Sequence, residues 1–129
     1  MKSRDALIRL KRFQADERRR RVMQIQAMSA EFARLIAELD RDIAAEERRA
    51  GIADPTHFAY PTYARAAAQR RDNVKRSLDD LGSQLRAAEA AHEEAREELA
   101  KSEALDQRER PAEARAVSAA AAPQVLRAG

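Results

Sequence analysis

The side chains able to do chemistry are few and badly placed for it. A metal centre needs three or four His, Cys, Asp or Glu ligands at regular spacing. This sequence has no cysteine and two histidines, His57 and His92, far apart along the chain. Glu93-Glu94 and Glu97-Glu98 are paired carboxylates. Such pairs act as acid and base only inside a pocket that shifts their pKa values. Here they fall on a charged helical stretch, where carboxylates normally face water. Three glycines, Gly51, Gly82 and Gly129, cannot build a phosphate-cradling loop. The sequence therefore reads as non-enzymatic, with no catalytic residue, metal, cofactor or small-molecule substrate.

Two features remain that could recognise a partner. One is the run Arg18, Arg19, Arg20 and Arg21. Four successive residues span every face of a helix, so at least two must point away from a packed neighbour. The other is the stretch Pro55-Thr56-His57-Phe58-Ala59-Tyr60-Pro61-Thr62-Tyr63, which holds three of the five aromatic residues. These aromatics either close a turn or stay out as contacts. The expectation is that Phe58 plugs the end while Tyr60 and Tyr63 stay partly exposed for a partner.

Both features need long helices to position them. The 129 residues are 36% charged and 4% aromatic. That composition suits a narrow helical seam and not a many-sided core. Val22, Ile25, Ser29, Phe32, Ile36, Leu39 and Ile43 follow alternating three- and four-residue steps, and Met28 and Leu35 widen the stripe. Upstream, Ile8 and Ala15 keep the phase while Lys11 and Arg18 interrupt it. Leu7, Leu10 and Phe13 there suggest a drift of the buried face. A second seam runs through Ala67, Arg71, Val74, Leu78, Leu81, Leu85, Ala88, His92, Ala95, Leu99 and Ser102.

The predicted fold is all-α: a long antiparallel two-helix coiled coil over residues 1–110. It has a helix over about 5–50, a loop over about 51–61 and a helix over about 62–109. Each helix would be roughly 70 Å long at about 1.5 Å per residue. Gly51 stops the first helix, Asp54-Pro55 makes a capped turn, and Pro61 lies near the start of the second. The register sets Leu39 near Val74, Ile36 near Leu78, Phe32 near Leu81, Ile25 near Ala88, Arg18 near Ala95, and Ile8 near Leu105.

Charge supports the same topology. Residues 1–21 carry nine bases against three acids, and residues 89–109 carry eight acids against three bases. A hairpin lays these segments side by side, with the arginine run near Glu93, Glu94, Glu97 and Glu98. A parallel homodimer would instead bring like charges together, so a free monomer is expected. Pro111 is expected to end the second helix, leaving 111–129 as a disordered or frayed tail. The charged N-terminal stretch lacks the apolar region of a secretory signal, and no run is long enough to cross a bilayer. Gly82, inside the second helix, has no evident purpose.

Some of these segments resemble the FliJ family of flagellar export proteins in its alphaproteobacterial form. They are the start from Lys2 through Phe13, the loop Phe58-Ala59-Tyr60-Pro61-Thr62-Tyr63-Ala64, the patch Gln69-Arg70-Arg71-Asp72-Asn73, and the run from Glu98 through Leu105. The resemblance implies a stalk and adaptor of the type III flagellar export apparatus. It would be cytoplasmic, and peripheral to the inner membrane at the flagellar base. The implied partners are the export ATPase (FliI), the export gate protein (FlhA) and export chaperones. Phe58, Tyr60, Tyr63, Arg70 and Arg71, with Leu39 and Ile43, would then face the gate. Arg18, Arg19, Arg20 and Arg21 would face the ATPase. The alternative is a nucleic-acid-binding or scaffold coiled coil that uses the same arginine run.

Overall fold

Heptad phasing without interior glycine or proline favours one uninterrupted helix at the N-terminal end of the chain. In the computed structural model, α1 spans Lys2–Ala50 and α2 spans Thr62–Ala128. The structure describes the backbone of residues 2–128 and the side-chain burial of residues 3–120, and no strand occurs among the described residues. Asp5 in the first turn of α1, and Arg48 and Arg49 in its last, suit the helix dipole. Gly51 ends α1 at φ 71°, where its N–H and that of Ile52 both reach the Glu47 carbonyl, at 2.9 and 3.2 Å. A residue with a Cβ would be strained in that left-handed cap.

The chain divides into two compact units. The loop unit is Arg20–Glu89, and the terminal unit joins Met1–Arg19 with Ala90–Gly129. In the loop unit the two helices pack along the expected seam. All seven α1 seam positions from Val22 to Ile43 are buried or half-buried, as are the α2 positions from Ala67 to Ala88. Its core gathers Leu39, Ile43, Tyr60, Ala64 and Ala67, with Leu35, Ile52 and Ala68 packed against them. The two alanines let the helices approach closely at this end. Leu35 widens the stripe as expected; Met28 does not, and stays exposed.

The terminal unit is held differently. Ala15 is its one buried apolar residue among the described residues. Ile8 shares a groove with Leu105, and Arg18 shares one with Ala95, as the register predicts. The expected drift of the buried face does not occur. Lys11 stays half-buried at its seam position because its Nζ lies 3.7 Å from Glu98 Oε2. A charged seam residue that finds an acid across the interface can leave its stem on the seam. The phase therefore need not shift, and Leu7, Leu10 and Phe13 remain exposed.

Pro111 does not stop α2. The helix continues through it to Ala128, although a proline there removes one backbone hydrogen bond. A bridge across the break compensates. Arg4 on α1 pairs with Asp106, Glu109 and Glu113, and so spans the turn containing Pro111. From 114 to 120 every side chain is exposed, which agrees with the missing stripe. The tail was expected to be disordered or frayed over 111–129; within it, the side chains of 121–128 and the whole of residue 129 lie outside the described residues.

Gly82 is half-buried in α2, and an added Cβ would meet nothing nearer than an Arg86 nitrogen at 3.8 Å. Nothing in the structure explains a glycine there. Gly82→Ala should therefore stabilise the protein by about 0.5–1 kcal/mol in urea unfolding followed by circular dichroism. Ile25, 1% exposed, should lose about 2–4 kcal/mol on replacement by alanine in the same measurement.

Candidate functional site

The loop from 51 to 61 turns through a succession of local bonds. The Asp54 carboxylate accepts from the Thr56 amide at 2.9 Å and from its hydroxyl at 2.8 Å. These two bonds, the backbone one first, hold the Asp54 carboxyl below its ordinary pKa. The His57 amide donates to the Asp54 carbonyl, and the Tyr60 amide to the His57 carbonyl, each at 3.1 Å. His57 Nδ1 also accepts from the Ala59 amide at 3.0 Å. Nearly every bond in this turn is short-range in sequence, so the loop has a defined shape and is not a slack connection.

Tyr60 fixes that shape to the helices. It is 6% exposed and sits in the core with Leu39, Ile43, Ala64 and Ala67. Its hydroxyl donates to Glu47 Oε2 at 2.9 Å, and the Arg65 guanidinium lies 5.5 Å from its ring centre. Burial, and then the hydrogen bond to Glu47, push its phenol above the ordinary value. A neutral phenol can enter an apolar seam end provided its polar tip keeps a partner.

This reverses the expected division of labour. Tyr60, not Phe58, plugs the end of the seam. Phe58 is 96% exposed and stacks on the His57 ring with centroids 4.7 Å apart. Tyr63 is 57% exposed; its hydroxyl lies 3.5 Å from Asp42 Oδ2, the outer limit of a hydrogen bond.

The other residues proposed for the gate side separate in the same way. Leu39 and Ile43 are buried core residues and present no surface to a partner. Arg71 is half-buried, with Nη1 3.0 Å from Asp40 Oδ1 and Nε 3.3 Å from Asp72 Oδ1. Arg70 is exposed. The surface available at this end is thus Phe58, Tyr63 and Arg70. Sequence reasoning missed Glu47, Arg65 and Asp40, which hold Tyr60 and Arg71 in place. Only Asp40 had a signal: its opposite charge near the predicted crossing point of Arg71.

The arginine run divides between the units. Arg18 and Arg19 belong to the terminal unit, Arg20 and Arg21 to the loop unit, and all four are exposed. Arg21 Nη2 reaches Gln84 Oε1 at 3.4 Å. The expected pairing with the acidic helix is not made by the run's own members in the terminal unit. No ion pair joins Arg18 or Arg19 to Glu93, Glu94, Glu97 or Glu98 among the described residues. Glu98 pairs with Lys11 and Lys101, Glu93 with Arg96, and Glu103 with Arg12.

The strongest ionic cluster of the terminal unit centres on Arg4, whose side chain is 12% exposed. Its Nε lies 2.7 Å from Asp106 Oδ1 without hydrogen-bond alignment, and Nη2 donates to Glu113 at 2.8 Å. Arg110 joins Asp106, at 2.7 Å, to Asp5 on α1. Hydrogen bonding from Arg110, aided by Arg4, holds the Asp106 carboxyl below its usual range. Among the described residues no group of acids and histidines could hold a metal, and no helix is long and apolar enough to cross a membrane.

A carboxyl whose pKa falls on folding contributes stability above its unfolded pKa of about 4, and loses it as pH falls through the folded value. Helicity of the terminal unit should therefore drop on acidification below about pH 4. Asp106→Asn should start less helical at neutral pH and show a flatter acid limb by circular dichroism. At the loop end, Tyr60→Ala should lower the melting temperature by several degrees, while Phe58→Ala leaves it unchanged. Compared with known proteins, the chain matches no family model, no curated protein and no solved structure.

Proposed function

We propose that this chain is a non-enzymatic adaptor that joins partners through its loop surface and its arginine run, and that it serves the flagellar type III export apparatus. The observation that carries the adaptor reading is Phe58. A phenylalanine 96% exposed on a loop held by its own hydrogen bonds is costly to leave in water, and it is presented in one shape. Aromatic anchors on pre-shaped loops bind without a large ordering cost. Tyr63 and Arg70 add a second aromatic and a charge. This end is the gate side of the proposal, facing the export gate protein (FlhA).

Arg18 and Arg19 in the terminal unit, and Arg20 and Arg21 in the loop unit, supply the contacts for the export ATPase (FliI). Their exposure, and the absence of an acidic partner for Arg18 and Arg19 among the described residues, support an external use. The flagellar assignment itself rests on the segment resemblance described above. With it go a cytoplasmic location and a peripheral association with the inner membrane through the apparatus.

A nucleic-acid-binding reading uses the same arginines and draws support from the same exposure. It predicts binding that weakens steeply with salt. No aromatic is interleaved with the run to stack on bases, and acidic residues occupy the returning helix, so it ranks second. Absence of any shift of a labelled oligonucleotide at low salt would remove it.

The adaptor reading is tested by pull-down with the export ATPase and gate protein of the same organism. Wild-type chain should retain both. Phe58→Ala with Tyr63→Ala should reduce gate retention at least tenfold, with unchanged helicity and unchanged ATPase retention. Failure of the wild-type chain to hold either protein would contradict the assignment.

A further inference from the structure

The terminal unit leaves an open groove along one side of its helix pair. Leu7, Ile8 and Leu105 line one end with Ser3, Ser102 and Glu109. Gln14, Arg18, Ala91, Glu94 and Ala95 line the next stretch. The two stretches share a side. Leu7, Gln14 and Arg18 fall on one face of α1, and Ala91, Ala95, Ser102 and Leu105 on one face of α2, by their three- and four-residue steps. Leu7 and Leu105 are each about half exposed. With Ala15 as its one buried apolar residue among the described residues, this unit exposes more large apolar side chains than it buries there.

The charges on this face are also unfinished. Arg18 and Glu94 line the same groove, yet neither forms an ion pair among the described residues. The α1 side of the groove is basic, with Leu7 and Arg18. The α2 side is acidic, with Leu105, Ala91, Ala95 and Glu94. A surface that carries a pattern and its complement side by side fits a second copy of itself.

We propose that two copies of this chain associate through this groove, face to face, forming a four-helix bundle from their terminal units. Two in-plane two-fold axes are available to such a pair. An axis perpendicular to the helices sets α1 against α1 and opposes basic surfaces. An axis parallel to the helices sets α1 of each copy against α2 of the other, antiparallel and at equal height. That arrangement brings Leu7 onto the partner copy's Leu105, and Arg18 onto the partner copy's Glu94.

The face extends over roughly 28 Å, from about 19 residues of α2. Two helices wide, it covers on the order of 500 Å² per copy, below the roughly 800 Å² of a standard interface. The association is accordingly weak and reversible, with half-dimerisation on the order of 10 µM. It shares Arg18 with the ATPase surface proposed above, but it is read on the purified chain alone, so the two proposals fail separately.

Sedimentation equilibrium of the purified full chain tests this. The apparent mass should rise from monomer at about 1 µM towards dimer at about 100 µM. Arg18→Glu should weaken dimerisation at least tenfold, and Arg18→Glu with Glu94→Arg should restore it. The chain has no native cysteine, so single-cysteine variants report the orientation. Mixed Leu7→Cys and Leu105→Cys chains should cross-link to each other more than Leu7→Cys chains cross-link among themselves. A monomer at about 100 µM, a charge swap without rescue, or a preference for like-with-like cross-links would each overturn the proposal.

Discussion

Two packed helices can bury only the strip along which they touch, and this geometric limit governs the rest of the structure. A strip offers one position per three or four residues, so the apolar content needed is small and its placement strict. Ile25, Leu39, Ile43 and Leu81 occupy it in the loop unit. Every other face of each helix stays in water, which is why the composition is so heavily charged. A strip also has ends. At the loop, the seam would open onto water without a cap, and Tyr60 fills that place with its hydroxyl anchored on Glu47. Because Tyr60 closes the end, Phe58 is released from structural duty and can stand outside.

The two units meet the same limit by different means. The loop unit uses apolar contact, concentrated where Ala64 and Ala67 permit close approach. The terminal unit has little apolar burial and relies on ion pairs centred on Arg4, Asp106 and Arg110. Exposed ion pairs contribute little each and are screened by salt, whereas a half-buried network holds its geometry better. The Arg4 cluster also explains how α2 passes through Pro111: the lost backbone bond lies inside a turn clasped from the other helix.

Much of the fold was legible in the sequence, because a heptad seam is a strong and repetitive signal. The phase identified the seam residues of both helices, and Gly51 marked a helix end that its left-handed backbone requires. Failures arose where a charged residue took a seam position. Lys11 looked like an interruption, so the apolar side chains of Leu7, Leu10 and Phe13 suggested a shift of face. Pairing across the interface was the missing information, although Arg4 in seam phase and Asp106, Glu109 and Glu113 on one face of α2 were visible in the sequence. The roles of Phe58 and Tyr60 were less legible still. Both are aromatic and two residues apart, and only the path of the turn decides which one points inward.

Apolar contact holds the loop unit, and ionic contact holds the terminal unit. Hydrogen exchange on the purified chain, at low salt and again at about 0.5 M salt, tests this most directly. Amides of residues 36–47 and 62–74 should exchange slowest in both conditions. Amides of residues 3–12 and 98–113 should exchange faster and accelerate selectively with salt. Equal protection in the two units, or a salt effect concentrated in residues 36–74, would contradict this division between apolar and ionic contact.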